Sequence, residues 1–458
     1  MAFNAVDTEL RGPAFGRSEA LFRLALAAFG LMGARLAGAV FSFLSQLILA
    51  RSFAAADVGV VFLAMSVTTF VSLLMTCGYH TLALTYLARY RAFGRSRLVD
   101  AFLAVSRRDM VIAALLMLLA SVIAYFFLPL SDHMAKALLF GCLAAVPLAA
   151  LRLNNSSANA QRRFTLSYAP DFVARPLLLL IFVAGMVLAG VGRDVDYVLM
   201  ALVAISFGVA IGQAAILGKD NVWPWTAPAV SRNLTRFLRH RAVAMLLVTV
   251  VAGASADLVV MLGGLFLPSS EVAVLGVAVR LAALIGFFSS ASQPFVLRDL
   301  ASARASGADT DRLLLRMNLA GLSIMGLAIL ACVLFGPAIL RLYGVEYGAG
   351  YWPLLLFMVG QAFRTSGGMN GELLALGGHQ VKSASLCFCA VLVLVTMATL
   401  LTPHWGIMGL ATASVIAEAF WAAGLALLTQ RLEGRRGDIV GLLMRRWASH
   451  SPGPAFRR

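Results

Sequence analysis

Runs of about twenty apolar residues recur twelve times along this chain, at 25–50, 56–79, 109–130, 135–152, 172–191, 196–217, 242–267, 271–293, 318–340, 350–366, 384–402 and 405–429. Hydrocarbon offers no hydrogen-bond partner to an exposed backbone, so a segment that crosses it must be helical and about this long. Of the 458 residues 61% are hydrophobic and only 13% charged. A water-soluble chain of this size needs far more polar surface. The runs therefore predict an all-α integral membrane protein with about twelve transmembrane helices.

The charges predict its orientation. The chain carries 37 Lys and Arg against 21 Asp and Glu, a net charge of +16. With the N-terminus in the cytoplasm, 31 of the basic residues fall in cytoplasmic segments or at their edges. Four fall on the other side (Arg51, Lys136, Arg193 and Arg341), and Arg35 and Arg280 fall within spans. One missed helix would invert every later loop, so this asymmetry supports the count and places both termini in the cytoplasm, as expected of a multi-pass inner-membrane protein. The basic excess then faces anionic lipid heads. No basic patch interleaves with aromatics, which argues against nucleic acid as a partner. Outer connections such as LPSSE are tight, inner ones such as RYRAFGRSRLVDAFLAVSRRD long. The expected organisation is a cytoplasmic segment (1–24), six helices (25–217), a cytoplasmic linker (218–241), six more helices (242–429) and a basic tail (430–458). In that tail GDIVGLLMRRW has the character of a helix lying on the inner leaflet. The N-terminus lacks the pattern of a cleaved signal. The five cysteines all lie in apolar runs, without zinc or disulfide spacing.

There is an internal repeat. LARSFAAADVGVVFLAMSV (49–67) aligns with LGGLFLPSSEVAVLGVAVR (262–280), Phe53 with Phe266 and Val58 with Val272 after a one-residue gap. Six spans separate the copies, and an even number implies parallel repeats about an axis along the membrane normal.

These stretches resemble a known family. ILARSFAAADVGVVFLAMSV is similar to the first hairpin of bacterial polysaccharide-export flippases. YGVEYGAGYWPLLLFMVGQAF, LLALGGHQ and PHWGIMGLATASVIAEAFW resemble that family's C-terminal half in order and spacing. The family belongs to the multidrug, oligosaccharidyl-lipid and polysaccharide exporter superfamily, and the resemblance runs from about residue 25 to 430. It implies two six-helix lobes around a central cavity, alternating access and a lipid-linked oligosaccharide as cargo, destined for O-antigen, exopolysaccharide or capsule. Besides membrane lipids, partners would include the polymerase and glycosyltransferases of the same pathway. Related families often carry a glutamate where Glu418 stands.

Ionisable groups inside a membrane cost roughly 2.5–3.5 kcal/mol each on insertion scales and default to functional candidates. Arg35, Asp257, Arg280 and Glu418 lie deep, while Arg175 and Arg364 lie near the inner mouth. Asp257 is twelve residues before Ser269 and Arg280 eleven after it. At ~1.5 Å per residue both sit about 17 Å from the outer turn, a depth that permits an ion pair. Arg35 either snorkels to the cytoplasm or faces the cavity, where its planar fork suits a pyrophosphate. Glu418 either bonds neighbouring helices or loads a proton, since low dielectric favours a protonated carboxyl. Arg175 reads as an i,i+4 partner of Asp171. Gln361, Arg364 and Asn370 either line the inner entrance or cap a broken helix end. The candidate cargo-binding residues are thus Arg35, Arg175, Arg280, Gln361 and Arg364, with Asp257 and Glu418 as coupling or structural charges.

Two patterns are discounted. Asp194 and Asp196 form a D-x-D in a short outer loop with no large domain beside it. Gly218-Lys219 lacks the first glycine and the Ser/Thr of a phosphate loop. No catalytic constellation, metal-ligand cluster or cofactor motif appears. A cation-coupled multidrug exporter is the rival reading, yet residues 25–217 hold no deep acid and do hold Arg35. A membrane polymerase or ligase would need a sizeable outer loop.

Overall fold

The computed structural model describes residues 17–161, 163–190, 194–218, 230–253, 255–290, 310–377 and 379–450. Every regular element among them is helical. In chain order they are α1 (Arg17–Ser52), α2 (Ala55–Met75), α3 (Tyr79–Ala92), α4 (Ser96–Phe127), α5 (Asp132–Ala160) and α6 (Phe164–Ala169). A π-helical turn, Pro170–Ala174, joins α6 to α7 (Arg175–Leu188), and α8 (Val195–Leu217) follows. The second half has α9 (Arg232–Gly253), α10 (Ser255–Phe266), α11 (Ser269–Ser290), α12 (Thr310–Tyr343), α13 (Tyr351–Leu376), α14 (Gln380–Glu433) and α15 (Ile439–His450). Nine helices among the described residues are long and apolar enough to cross a membrane.

Two of the predicted spans share α14. The element folds back on itself at Gly406 (φ 56°, ψ −135°), just after Pro403, and only glycine adopts such backbone freely. The arms then meet: Trp421 Nε1 donates to Cys387 Sγ at 3.0 Å. The span predicted at 242–267 falls on α9 and α10, with residue 254 outside the described residues.

The long basic loops need correction. Residues 80–108 are helical except Phe93–Arg95, where Gly94 takes φ 63°. Apolar residues at helical spacing explain this: Leu82, Ala83 and Leu87 of α3 pack with Val99, Phe102 and Leu103 of α4. Likewise α9 starts at Arg232, so part of the expected linker at 218–241 is helix. The five cysteines carry free thiols.

Helix α2 is the hub. It packs on α5 in the first half and on α10 and α11 in the second, and Val58, Phe62, Ala64 and Val67 are fully buried. Glycines make these approaches close. Gly264 faces Leu63 and Gly276 faces Phe62, while Gly59 lies against the Ser269 carbonyl. The repeated hairpins therefore meet each other, at the end of the bundle opposite the basic connections. Arg51 adds a second tie there, donating to Leu342 O at 2.5 Å and Arg341 O at 3.4 Å. These are carbonyls of the last turn of α12, the negative end of its dipole.

A methyl on Gly59 would overlap the Ser269 backbone. Gly59→Ala should therefore part α2 from α11 and cost about 1–3 kcal/mol, read as a lower unfolding temperature in detergent. An unchanged temperature would contradict the packing described.

Candidate functional site

Polar side chains gather where the two halves meet, around α1, α2, α10 and α11. Arg280 lies on α11 with its guanidinium 4.2 Å from the Phe62 ring centroid. Its Nη2 donates to Phe62 O at 3.1 Å, while Nη1 is closed from solvent and has no hydrogen-bond partner among the described residues. With Ser42, Gln46 and Tyr343 it lines a cavity of about 210 Å³. A smaller cavity of about 50 Å³ shares Ser42 and is lined by Arg175, Ser45 and Thr68.

The ion pair permitted by equal depth is not the one formed. Arg280 bonds to the Phe62 carbonyl instead. Asp257 lies beside the Ser66 hydroxyl, in electrostatic reach of Arg280, Arg152 and Arg175. Depth along a helix says nothing of the direction in which a side chain leaves it, and α2 supplies a carbonyl and a ring to Arg280 first.

Arg152, near the C-terminal third of α5, is the residue that sequence reasoning missed. It stood at the edge of a predicted span and counted as a loop charge. Its Nε is closed from solvent without a hydrogen-bond partner among the described residues, and it acts electrostatically on His80 and Asp257. The polar run LNNSSANA that follows it was the available signal.

Arg175 pairs with Asp171 at 3.5 Å, at the junction of the π-turn and α7. Arg35 lies over two rings, 5.2 Å from Phe172 and 5.7 Å from Tyr168. Gly38, one turn on, brings α1 against the Phe172 carbonyl. Arg35 is thus held by aromatic faces, a cation–π setting.

Three other candidates lie apart, within the second half. Arg364 on α13 bonds the Glu418 carboxylate on α14 and donates to Ser255 Oγ on α10 at 2.7 Å. Its guanidinium is 5.8 Å from the Trp421 ring. Gln361 packs its side chain on Gly286 and accepts at its carbonyl from Thr365 Oγ1 at 2.9 Å. Glu418, apparently stranded in lipid by sequence, thus meets a cation across the α13–α14 interface. The D-x-D is structural: Asp194 Oδ1 caps α8 by accepting from Asp196 N at 3.0 Å, and Asp196 accepts from Lys136 Nζ at 2.9 Å.

At the basic end a further joint crosses between the halves. Asp109 on α4 accepts two bonds from Arg239 on α9, at 2.7 and 2.8 Å, and one from Tyr79 Oη at 2.8 Å. Gly78, with φ 80°, lets the chain approach Ala242 and Leu246 of α9. The chain thus holds contacts between its halves at both ends of the bundle.

The Arg364–Glu418 tie makes a prediction. Glu418→Ala strands a largely enclosed guanidinium and should cost about 1–3 kcal/mol, allowing for the partial exposure of Arg364. Adding Arg364→Ala should recover part of that loss, with a coupling energy of about 1 kcal/mol in a thermal-unfolding cycle. Additive losses would show that the two do not act as a pair.

No protein-family model and no curated protein sequence matches this chain. Solved structures do. An inward-facing multidrug resistance MATE family transporter of the MOP superfamily superposes with TM-score 0.71 at 14% identity, covering 89% of this chain and 98% of the other. The lipid II flippase MurJ in an inward closed conformation gives 0.70 at 13%, covering 88% and 87%. An outward-facing MATE transporter gives 0.56 at 15%, covering 88% and 96%. These neighbours are transporters and flippases. The chain is a multi-pass membrane protein with the fold of the MOP superfamily transporters.

Proposed function

We propose that this chain flips a polyprenyl-diphosphate-linked oligosaccharide across an inner membrane, from the leaflet beside its basic connections, for synthesis of a surface polysaccharide. The observation that carries the reading is a pair of arginine nitrogens. Among the described residues Arg280 Nη1 and Arg152 Nε are closed from solvent and have no hydrogen-bond partner, and both guanidiniums act on the same Asp257. Leaving a buried donor of a charged group unpaired costs about 1–3 kcal/mol or more. A diphosphate supplies acceptors, and arginine meets its oxygens two at a time. Arg152, Arg175 and Arg280 outnumber Asp171 and Asp257 there, which is the wrong sign for a cationic drug. The likeness to a lipid II flippase supports a lipid-linked cargo.

The reading has two six-helix lobes, twelve spans and cytoplasmic termini, with pathway enzymes supplying and consuming the cargo. The cycle opens one end of the bundle while the other holds. The Asp109–Arg239 joint releases to admit cargo from the basic side, and the α2–α11 contact parts to discharge it. Glu418 ties helices within the second lobe, leaving Asp257 as the charge that stands in the cargo's path.

Two tests follow. In proteoliposomes carrying a fluorescent polyprenyl-diphosphate oligosaccharide, Arg280→Ala and Arg152→Ala should each slow flipping. A charge-assisted bond worth ~1.5–3 kcal/mol corresponds to roughly tenfold to a hundredfold, and lysine should rescue in part. Full activity in the double alanine variant would sink the reading. Asp109→Asn should raise the rate at which an impermeant thiol reagent, added from the basic side, labels Thr69→Cys in a cysteine-free background. Unchanged labelling would remove Asp109 from the gate.

A further inference from the structure

The C-terminal segment is more firmly held than a surface helix needs to be. Asp438, just before α15, is buried, and its carboxylate takes two bonds from Arg436 at 2.7 and 2.9 Å. Asn370 on α13 donates to it at 3.2 Å and accepts from Gly437 N at 2.7 Å. Asn318 on α12 donates to Gly437 O at 2.7 Å. Burial alone would push the Asp438 carboxyl up, but the hydrogen bonds from Arg436 and Asn370 outweigh it and hold it below its ordinary 3.8. Leu442 then seals one face of α15 against Leu314, Leu315 and Leu373.

The other face stays open, and it is apolar. Val440, Leu443 and Met444 are 46%, 52% and 62% exposed, against 2% for Leu442. Positions 440, 443 and 444 fall on one side of a helix. Water disfavours three such side chains on one short stripe. The helix has 12 residues, about 18 Å, too short to cross a bilayer. It follows α14 directly where that helix leaves its apolar run. Residues 431–450 hold five arginines against two acids, and two of the arginines, Arg436 and Arg445, are paired with Asp438 and Asp311.

We propose that α15 is a membrane-interface helix. Its knot at Asp438 fixes it to α12 and α13, and Val440, Leu443 and Met444 insert into the adjoining leaflet, whose anionic phospholipids match its arginines. Because the knot joins helices of the second half only, the helix would keep that half in register with the leaflet while the other half moves.

Site-directed spin labels at Met444 and, as buried control, Leu442 test this in lipid nanodiscs containing phosphatidylglycerol. The label at 444 should be relaxed more by oxygen than by a water-soluble nickel chelate. The label at 442 should be shielded from both. Nickel access exceeding oxygen access at 444 would place that face in water and overturn the proposal. Shielding from both at 444 would mean that protein covers it, in another copy of the chain, and would overturn it equally. Asp438→Ala should sharpen the 444 spectrum by freeing the helix. Should that variant not fold, Asn370→Ala weakens the same knot. An unchanged spectrum in a folded variant would show that the knot does not hold the helix. None of these readouts depends on which cargo the protein carries.

Discussion

A guanidinium inside a helical bundle has to find an oxygen or a ring, because hydrocarbon provides neither and the charge does not leave. Much of this structure is a set of answers to that demand. Arg51 uses the carbonyls that end α12. Arg35 uses two aromatic faces. Arg364 uses a carboxylate, a hydroxyl and an indole at once. Each answer ties one helix to another, so the charges serve as fasteners. At Arg280 and Arg152 the answer is incomplete: among the described residues one nitrogen of each is closed from solvent without a hydrogen-bond partner.

Packing between the halves follows a different logic. Around α2 the contacts are glycine against carbonyl or apolar side chain: Gly59 on Ser269, Gly264 on Leu63, Gly276 on Phe62. Small residues let backbones come close without polar bonds that would have to break in lipid. Such a surface separates more cheaply than one stitched by buried ion pairs, whose breaking strands charge. An ion pair between the halves, Asp109–Arg239, lies at the basic end with Arg239 half exposed. Water can solvate its parts when it opens.

What the sequence revealed and hid divides along the same line. The helical class was legible because apolar runs and backbone satisfaction leave no alternative. The fold-back at Gly406 was legible because proline and glycine constrain backbone locally, and the repeat foretold two equivalent hairpins. Lateral direction was not legible. Asp257 and Arg280 share a depth, yet Phe62, over two hundred residues from Arg280, decides where the guanidinium turns. Glu418 gave no hint of Arg364, since 54 residues and an intervening helical arm separate them. Arg152 was hidden by convention: a basic residue at the edge of an apolar run reads as a topology signal, and only the packing of α5 encloses it.

Sites for drug-sized ligands run to roughly 300–1,000 Å³, and the cavity beside Arg280 measures about 210 Å³. A phosphate head fits within it but an oligosaccharide does not. On the proposed reading this cavity would hold the head of the cargo and leave its sugars outside. Side chains of α1, α11 and Tyr343 line the cavity, and none of α2 does. On the proposed reading it would enlarge as α1 draws away from α11, leaving Phe62 against Arg280. Arg280 would then keep its protein carbonyl while its Nη1 gains room for a phosphate oxygen, so that binding of the cargo's head would offset the cost of moving α1.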